Sequence, residues 1–200
     1  MPRFTAGFTL IELLVVIAII GVLTSIVMVS LSGAKQKSRD ARRVADIKTL
    51  QLALGLYYND NLFYPLDMTA SSNAVPGSSP QNGLVPAYLP VLPRDPNGAG
   101  TCTTSSDVSC YKYYGYRSGS GGCNSANVPV KYQLGAKLED ITNKALLDDV
   151  DYDLTSNGYT ACHNNANANG FLGNSADCTT TAGIPQGTAG GTELCYSQQP

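Results

Sequence analysis

The chain has 200 residues, with six cysteines, twelve tyrosines, no tryptophan and a formal net charge of −2. This length accommodates one membrane helix and one modest head domain, and it excludes two large domains, since single domains usually run to about 100–150 residues. A net charge so close to zero gives no overall attraction to nucleic acid, which disfavours a nucleic-acid partner.

The charges are nevertheless segregated along the chain. The early basic residues are Lys35, Lys37, Arg39, Arg42, Arg43 and Lys48. The late acidic residues are Glu139, Asp140, Asp148, Asp149, Asp151 and Asp153. Each cluster taken alone is typical of a solvated helix face or a solvated loop.

The first element is an apolar run over residues 8–31. Its length of about 24 residues corresponds to roughly 36 Å of helix, which is enough to cross a hydrocarbon core of about 30 Å. The residues before it are too few and too polar for an ordinary secretory signal, and no small-x-small cleavage site follows the run, so we expect the run to be retained. Glu12 lies inside it, where a carboxylate must reach the interface or find a partner.

The sequence GFTLIE, which begins at Gly7 and precedes the rest of the apolar run, resembles the processing signal of type IV pilins and type II secretion pseudopilins. The resemblance implies that a prepilin peptidase removes a leader over residues 1–7 and that Phe8 becomes a methylated amino terminus. Residues 8–32 are then the transmembrane and assembly helix. Glu12 matches the family's glutamate, whose carboxylate pairs with the new ammonium group of a neighbouring subunit, because each charge left alone in the membrane is costly.

The two indications of membrane orientation disagree. More basic residues follow the apolar run than precede it, so the positive-inside rule favours a cytoplasmic carboxy-terminal part. The position of all cysteines after the run, together with the resemblance, favours a single-pass protein of the cytoplasmic membrane with its carboxy-terminal domain outside. We adopt this second orientation, which implies an extracellular pilus or a periplasmic pseudopilus after assembly.

The helix is predicted to continue to about Asp60, since no proline lies between Pro2 and Pro65. Residues 33–62 form the amphipathic half of this helix, with an apolar stripe that we expect to pack against the head. The stripe consists of Ala41, Val44, Ile47, Leu50, Leu54 and Tyr57. The membrane half lacks a partner within its own chain, which favours assembly into a homo-oligomeric filament.

The head is predicted over residues 63–142, with its best strands at 111–116 and 130–138 because of their tyrosines and branched residues. The fold class is therefore α+β: a long amino-terminal helix packed on a small antiparallel sheet. We interpret the tyrosines as cross-strand packing rather than as a stacking platform for sugars or bases. The LPRDP segment at 92–96 and the absence of proline from the membrane helix resemble the pseudopilin branch.

A carboxy-terminal loop region over residues 143–200 has low apolar content, which disulfides are expected to compensate. The candidate half-cystines are Cys102, Cys110, Cys123, Cys162, Cys178 and Cys195. Proximity along the chain favours pairing Cys102 with Cys110 and Cys162 with Cys178, which leaves Cys123 for Cys195. With no C-x-x-C spacing and His163 as the sole histidine, a zinc site is disfavoured.

Calcium is the one cofactor for which the sequence offers ligands. Asp148, Asp149, Asp151 and Asp153 could supply carboxylate oxygens, but the EF-hand spacing is absent and the stretch does not match the calcium loop of the pseudopilin family. A solvated acidic loop is the favoured interpretation. Because the chain has no nucleophile elbow, phosphate loop or HExxH motif, we expect no enzymatic activity.

The leading hypothesis is a structural subunit of a type IV pilus-like filament used in adhesion, motility, DNA uptake or secretion, assembled by a pilus or secretion platform. One alternative is a type II secretion pseudopilin in a short, piston-like filament. A second alternative is a low-copy minor pilin that binds a surface or DNA. Glu12 argues for a position within the fibre, since subunits that cap such filaments often lack this glutamate.

Overall fold

The computed structural model describes residues 9–66, 68, 83–98, 111–119, 123, 128–150, 154, 157–162, 178 and 194–200. The elements are α1 at Leu10–Asn61, β1 at Lys112–Ser118, β2 at Lys131–Lys137, a short 3-10 helix at Lys144–Leu147, β3 at Tyr159–Ala161 and β4 at Cys195–Gln198. The predicted long helix and both predicted strands are therefore confirmed. The chain divides into two compact units, residues 1–38 and 39–200, which are described separately.

The amphipathic half of α1 supplies the core of the head. Ile47, Leu50, Leu54 and Tyr57 are each at most 2 % exposed, as the predicted apolar stripe requires. Ala41, which was assigned to the same stripe, is exposed, so that assignment was wrong. The reason is that charged residues, rather than apolar ones, occupy the inward positions of this turn.

The sheet is antiparallel, with the strand order β3-β1-β2-β4. Its tyrosines are packing residues, as predicted. Tyr113 is fully buried, and its ring stacks on that of Tyr132 with 6.2 Å between centroids. Tyr132 also meets Tyr64 edge-on at 4.8 Å, so aromatic side chains join the sheet to the segment that follows α1.

One glycine permits β1 to lie close to two other segments of the same chain, at Pro65 and Pro129. A Cβ atom on Gly115 would lie 3.0 Å from Pro129 Cβ and 3.2 Å from the carbonyl oxygen of Pro65. The Cys162 amide donates a hydrogen bond of 2.8 Å to the Gly115 carbonyl oxygen. A side chain at this position would push apart segments that the backbone holds together.

The carboxy-terminal region contributes more regular structure than its composition predicts. It supplies β3, which pairs with β1 from Tyr116↔Ala161 to Ser118↔Tyr159, and β4, which pairs with β2 from Leu134↔Gln198 to Lys137↔Cys195. Both strands are short and lack clear alternation, which is why the sequence alone did not reveal them.

The disulfide pairing proposed from chain proximity was wrong for the cysteines that the structure describes. Cys162 pairs with Cys123 rather than with Cys178, and Cys178 pairs with Cys195. The sheet decides the pairing: β3 carries Cys162 towards the segment after β1, while Cys195 opens β4. Cys102 and Cys110 lie outside the described residues.

Candidate functional site

The amino-terminal end of α1 carries the assembly residue expected from the sequence. The Glu12 Oε2 atom accepts hydrogen bonds from the Thr9 amide and from Thr9 Oγ1, each at 2.8 Å. The Glu12 amide donates in return to Thr9 Oγ1 at 3.3 Å. This reciprocal arrangement is a capping box, which satisfies backbone donors that a helix start leaves unpaired.

Glu12 therefore has a partner within its own chain, which the sequence analysis missed. The signal was present, because Thr9 and Glu12 stand in the T-x-x-E spacing of a capping box ahead of an apolar run. Gly7 and Phe8, the expected cleavage and methylation positions, lie outside the described residues. Their roles remain predictions.

The rest of the membrane half of α1 presents an apolar surface. Among the described side chains of this segment, Leu10, Ile20 and Met28 are 81 %, 56 % and 70 % exposed. Among the described residues, α1 is the one helix long and apolar enough to cross a membrane. Two hydroxyl groups in it are satisfied locally, since Thr24 donates to the Ile20 carbonyl and Ser25 to the Val22 carbonyl, each at 2.7 Å. The segment thus suits apolar surroundings.

In the head, a network of charges that we name the Arg43 cluster fastens two loops to α1. It consists of Arg39, Asp40, Arg43, Asp95 and Glu139. The Arg43 side chain is 3 % exposed and that of Asp40 is fully buried. The sequence analysis assigned the basic members to a solvated helix face, and for Arg43 that assignment was wrong.

Arg43 holds three carboxylates at once. Its Nε and Nη2 atoms donate to the two oxygens of Asp95 at 2.7 and 2.9 Å. Its Nη1 atom donates to Asp40 and to Glu139, each at 2.7 Å. Burial alone would lower the pKa of Arg43, but the hydrogen bonds to Asp95, Glu139 and Asp40 outweigh burial and raise it. The guanidinium group is therefore permanently charged.

Asp40 and Glu139 complete the connection between α1 and the segment after β2. The Asp40 carboxylate accepts from the Glu139 amide at 3.0 Å and from the Asp140 amide at 2.9 Å. Glu139 also binds Arg39, and this hydrogen bond, opposed by burial and reinforced by Arg43, lowers the pKa of Glu139 to about 2. Glu139 is thus ionised throughout the physiological pH range.

The acidic residues considered for calcium are not gathered into a metal site by the part of the chain that the structure describes. Asp149 Oδ2 accepts a hydrogen bond of 3.0 Å from the Ser197 amide, so Asp149 holds β4 in place. Asp148 is exposed beside it. Asp151, Asp153 and His163 lie outside the described residues, and calcium binding stays a prediction.

Several of the early basic residues are engaged by carboxylates and are therefore not available to bind nucleic acid. Arg39 and Arg43 are held by carboxylates of the Arg43 cluster, and Arg42 lies 3.7 Å from Asp46. The other early basic residues are exposed, namely Lys35, Lys37 and Lys48. This leaves few positive charges for phosphate contacts.

Comparisons with known proteins agree with these features. Residues 3–28 match the model of the prokaryotic N-terminal methylation motif. The type II secretion system core protein G of Dickeya chrysanthemi is 39 % identical over 107 residues, covering 50 % of this chain and 67 % of that protein. The protein of the same description from Vibrio cholerae is 37 % identical, covering 48 % of this chain and 68 % of its own length. No solved structure matches the chain.

The long helix with an apolar amino-terminal half, followed by a small antiparallel head, defines a membrane-anchored subunit of the pilin-like class. More particularly, the chain belongs to the family of type IV pilins and type II secretion pseudopilins. Because the curated relatives are type II secretion proteins, the pseudopilin alternative fits better than the pilus hypothesis that led the sequence analysis. Membership of this structural family also agrees with the expectation that the chain is not an enzyme.

Proposed function

We propose that this chain is a pseudopilin-type subunit, inserted in the cytoplasmic membrane and polymerised through α1 into a short filament of a type II secretion machine. The apolar half of α1, whose described side chains are exposed and whose first turn carries Glu12, is the observation that carries the proposal. The similarity to type II secretion core protein G supports the same function. The filament shields the apolar surface from water once the helix leaves the bilayer.

Processing precedes assembly in this proposal. A prepilin peptidase cleaves after Gly7, and the new amino group on Phe8 is methylated. Thr9 then lies one residue from the new terminus, so the capping box brings the Glu12 carboxylate near the end of the helix. The hydrogen bonds from Thr9 do not neutralise this carboxylate. The ammonium group of a neighbouring subunit can compensate its negative charge.

The head lies outside the cytoplasm in the proposed orientation. Its disulfides between Cys123 and Cys162 and between Cys178 and Cys195 are of the kind that persists in an oxidising compartment. A secretion platform in the membrane is the expected assembly partner.

The test is the intact mass and amino-terminal peptide of the protein recovered from membranes and, separately, from sheared surface material of the native cells. A chain that begins at methylated Phe8 and stays in the membrane fraction is the expected result. The same peptide in abundant sheared fibres would return the assignment to a type IV pilus. A chain that keeps its leader would refute both.

The role of Glu12 is tested by the fraction of full-length protein that sediments as filaments from detergent-solubilised membranes. Glu12→Ala removes the carboxylate and should prevent sedimentation while leaving cleavage intact. Thr9→Val is the matched control, because it removes the Oγ1 hydrogen bond but keeps the carboxylate. If Glu12→Ala sediments like the unmodified chain, then Glu12 has no part in assembly.

A further inference from the structure

A tight turn in the segment between α1 and β1 ends in an asparagine followed by a glycine. Its sequence is Asp95-Pro96-Asn97-Gly98. The Gly98 amide donates a hydrogen bond of 2.9 Å to the Asp95 carbonyl oxygen, and the Asn97 amide donates one of 2.8 Å to Asp95 Oδ1. An aspartate at the first position and a proline at the second favour such a turn, so its conformation follows from its own residues.

An asparagine that precedes glycine is chemically prone to lose its side-chain amide. The main-chain nitrogen of the following residue attacks the side-chain carbonyl carbon, and glycine shields that nitrogen least because it has no Cβ atom. Asn97 is exposed, so water reaches it. The dipeptide Asn97-Gly98 is therefore a candidate for deamidation.

The hydrogen bonds around Asn97 oppose this reaction while the head is closed. The Nδ2 atom of Asn97, which is the leaving group, donates a hydrogen bond of 2.7 Å to Glu139 Oε1. The same oxygen accepts from Arg43 Nη1 at 2.7 Å. The hydrogen of the attacking Gly98 nitrogen is engaged by the Asp95 carbonyl, so its removal costs a hydrogen bond. Both reacting groups are thus fixed by the contacts that fasten this loop to α1.

We propose that Asn97 is a deamidation site that the Arg43 cluster protects, so that the chain is modified there when the cluster opens. Local opening of a folded protein exposes such groups without unfolding the whole molecule. The reaction requires neither filament nor membrane, so its outcome is independent of the proposed function.

The reaction is balanced with water as the only co-reactant. A bond forms between the Gly98 nitrogen and the Asn97 Cγ atom, and the bond from Cγ to Nδ2 breaks. The Nδ2 group leaves as ammonia with the proton that the Gly98 nitrogen gives up. Water then opens the resulting succinimide ring at either carbonyl carbon, which leaves aspartate or isoaspartate at this position.

Deamidation should prevent the cluster from closing again. The amide that donated to Glu139 becomes a carboxylate, and like charges at this distance repel. The Arg43 cluster already holds three carboxylates against two guanidinium groups, so a fourth carboxylate has no compensating cation there. Asn97→Asp should therefore lower the melting temperature of the head more than Asn97→Ser, which removes the amide without adding charge. Equal losses would contradict this consequence.

The test measures the rate of deamidation at Asn97 in the full chain in detergent, at mildly alkaline pH, by mass spectrometry of the peptide that contains it. The rate should be at least about tenfold higher in urea than in the folded chain, since unfolding frees both reacting groups. Asn169, which precedes Gly170 and lies outside the described residues, calibrates the rate of the same dipeptide in urea. Gly98→Ala should slow the reaction at Asn97 in urea, because the added methyl group shields the attacking nitrogen.

The protective role of the cluster is tested by Glu139→Ala under folding conditions. This variant should raise the rate at Asn97 about tenfold, as expected for the loss of a hydrogen bond to a charged group. Asp149→Ala is the matched control, because it removes a carboxylate that binds the Ser197 amide instead, and it should leave the rate at Asn97 unchanged.

Near-ultraviolet circular dichroism establishes whether Glu139→Ala stays folded. If it does not, then Glu139→Gln, which keeps an acceptor oxygen but loses the charge, must still exceed the rate of the unmodified chain. Equal rates in urea and in the folded chain, or no effect of either substitution at Glu139, overturn the protective role. An Asn97 that stays intact in urea while Asn169 is deamidated overturns the site itself.

Discussion

Replacing Arg43 by alanine should destabilise the head by about 3 kcal/mol. Breaking a buried ion pair typically costs about 3–5 kcal/mol, because the remaining charge is buried without compensation. For Arg43→Ala we expect a loss of stability at the lower end of this range, because the remaining carboxylates keep other partners. Glu139 keeps Arg39, and the Asp95 and Glu139 side chains are 16 % and 21 % exposed, so water can solvate them in part.

Arg42→Ala is the matched control, one residue away on the same helix. The Arg42 side chain is 62 % exposed and lies 3.7 Å from Asp46, and such a surface pair contributes about 0.5 kcal/mol or less. Arg43→Lys should fall between the two, because lysine keeps the charge but cannot reproduce the paired hydrogen bonds to Asp95. The assay is urea unfolding of the full chain in detergent, followed by the near-ultraviolet circular dichroism of its tyrosines. A loss for Arg43→Ala no larger than that for Arg42→Ala would refute the buried-cluster argument.

The same cluster predicts how the head responds to acid. The pKa of Glu139 is lowered from an ordinary value of 4.5 to about 2, so the stability that Glu139 contributes is fully present above pH 4.5 and is lost as the pH falls towards 2. Glu139→Gln should remove much of this acid dependence. An unchanged slope of stability between these pH values in the variant would show that other carboxyl groups dominate.

Three further substitutions test the packing of the head by the same unfolding measurement. Gly115→Ala should cost about 1–3 kcal/mol, since the new methyl group would meet Pro129 at 3.0 Å, and a neutral result would mean that the backbone yields there. Leu62→Gly should stabilise the head by about 0.5–1 kcal/mol, because Leu62 has a φ of 64° and glycine adopts this region freely. The greater entropy of glycine in the unfolded state offsets part of the gain. A net loss of stability would point to a packing role for Leu62. Replacing Cys178 and Cys195 together by serine should lower the free energy of unfolding by about 3 kcal/mol, because their disulfide links residues 17 positions apart in the chain. Faster amide hydrogen exchange in β4 should accompany this loss of stability.

Much of the fold follows from local sequence patterns. The apolar run and the absence of proline define one long helix, and the stripe at Ile47, Leu50, Leu54 and Tyr57 identifies the face that packs into the head. These signals are readable because a helix period repeats many times in 52 residues. The GFTLIE segment likewise identifies the family by itself.

The tertiary structure alone decided which charges are buried and which cysteines pair. Arg43 and Arg42 are neighbours in a charged run, and only the approach of Asp95 and Glu139 from distant loops distinguishes the buried residue from the exposed one. The disulfides follow from the positions of β3 and β4 in the sheet. Both outcomes depend on contacts between residues far apart in the chain, and a periodic pattern within one segment carries no information about such contacts.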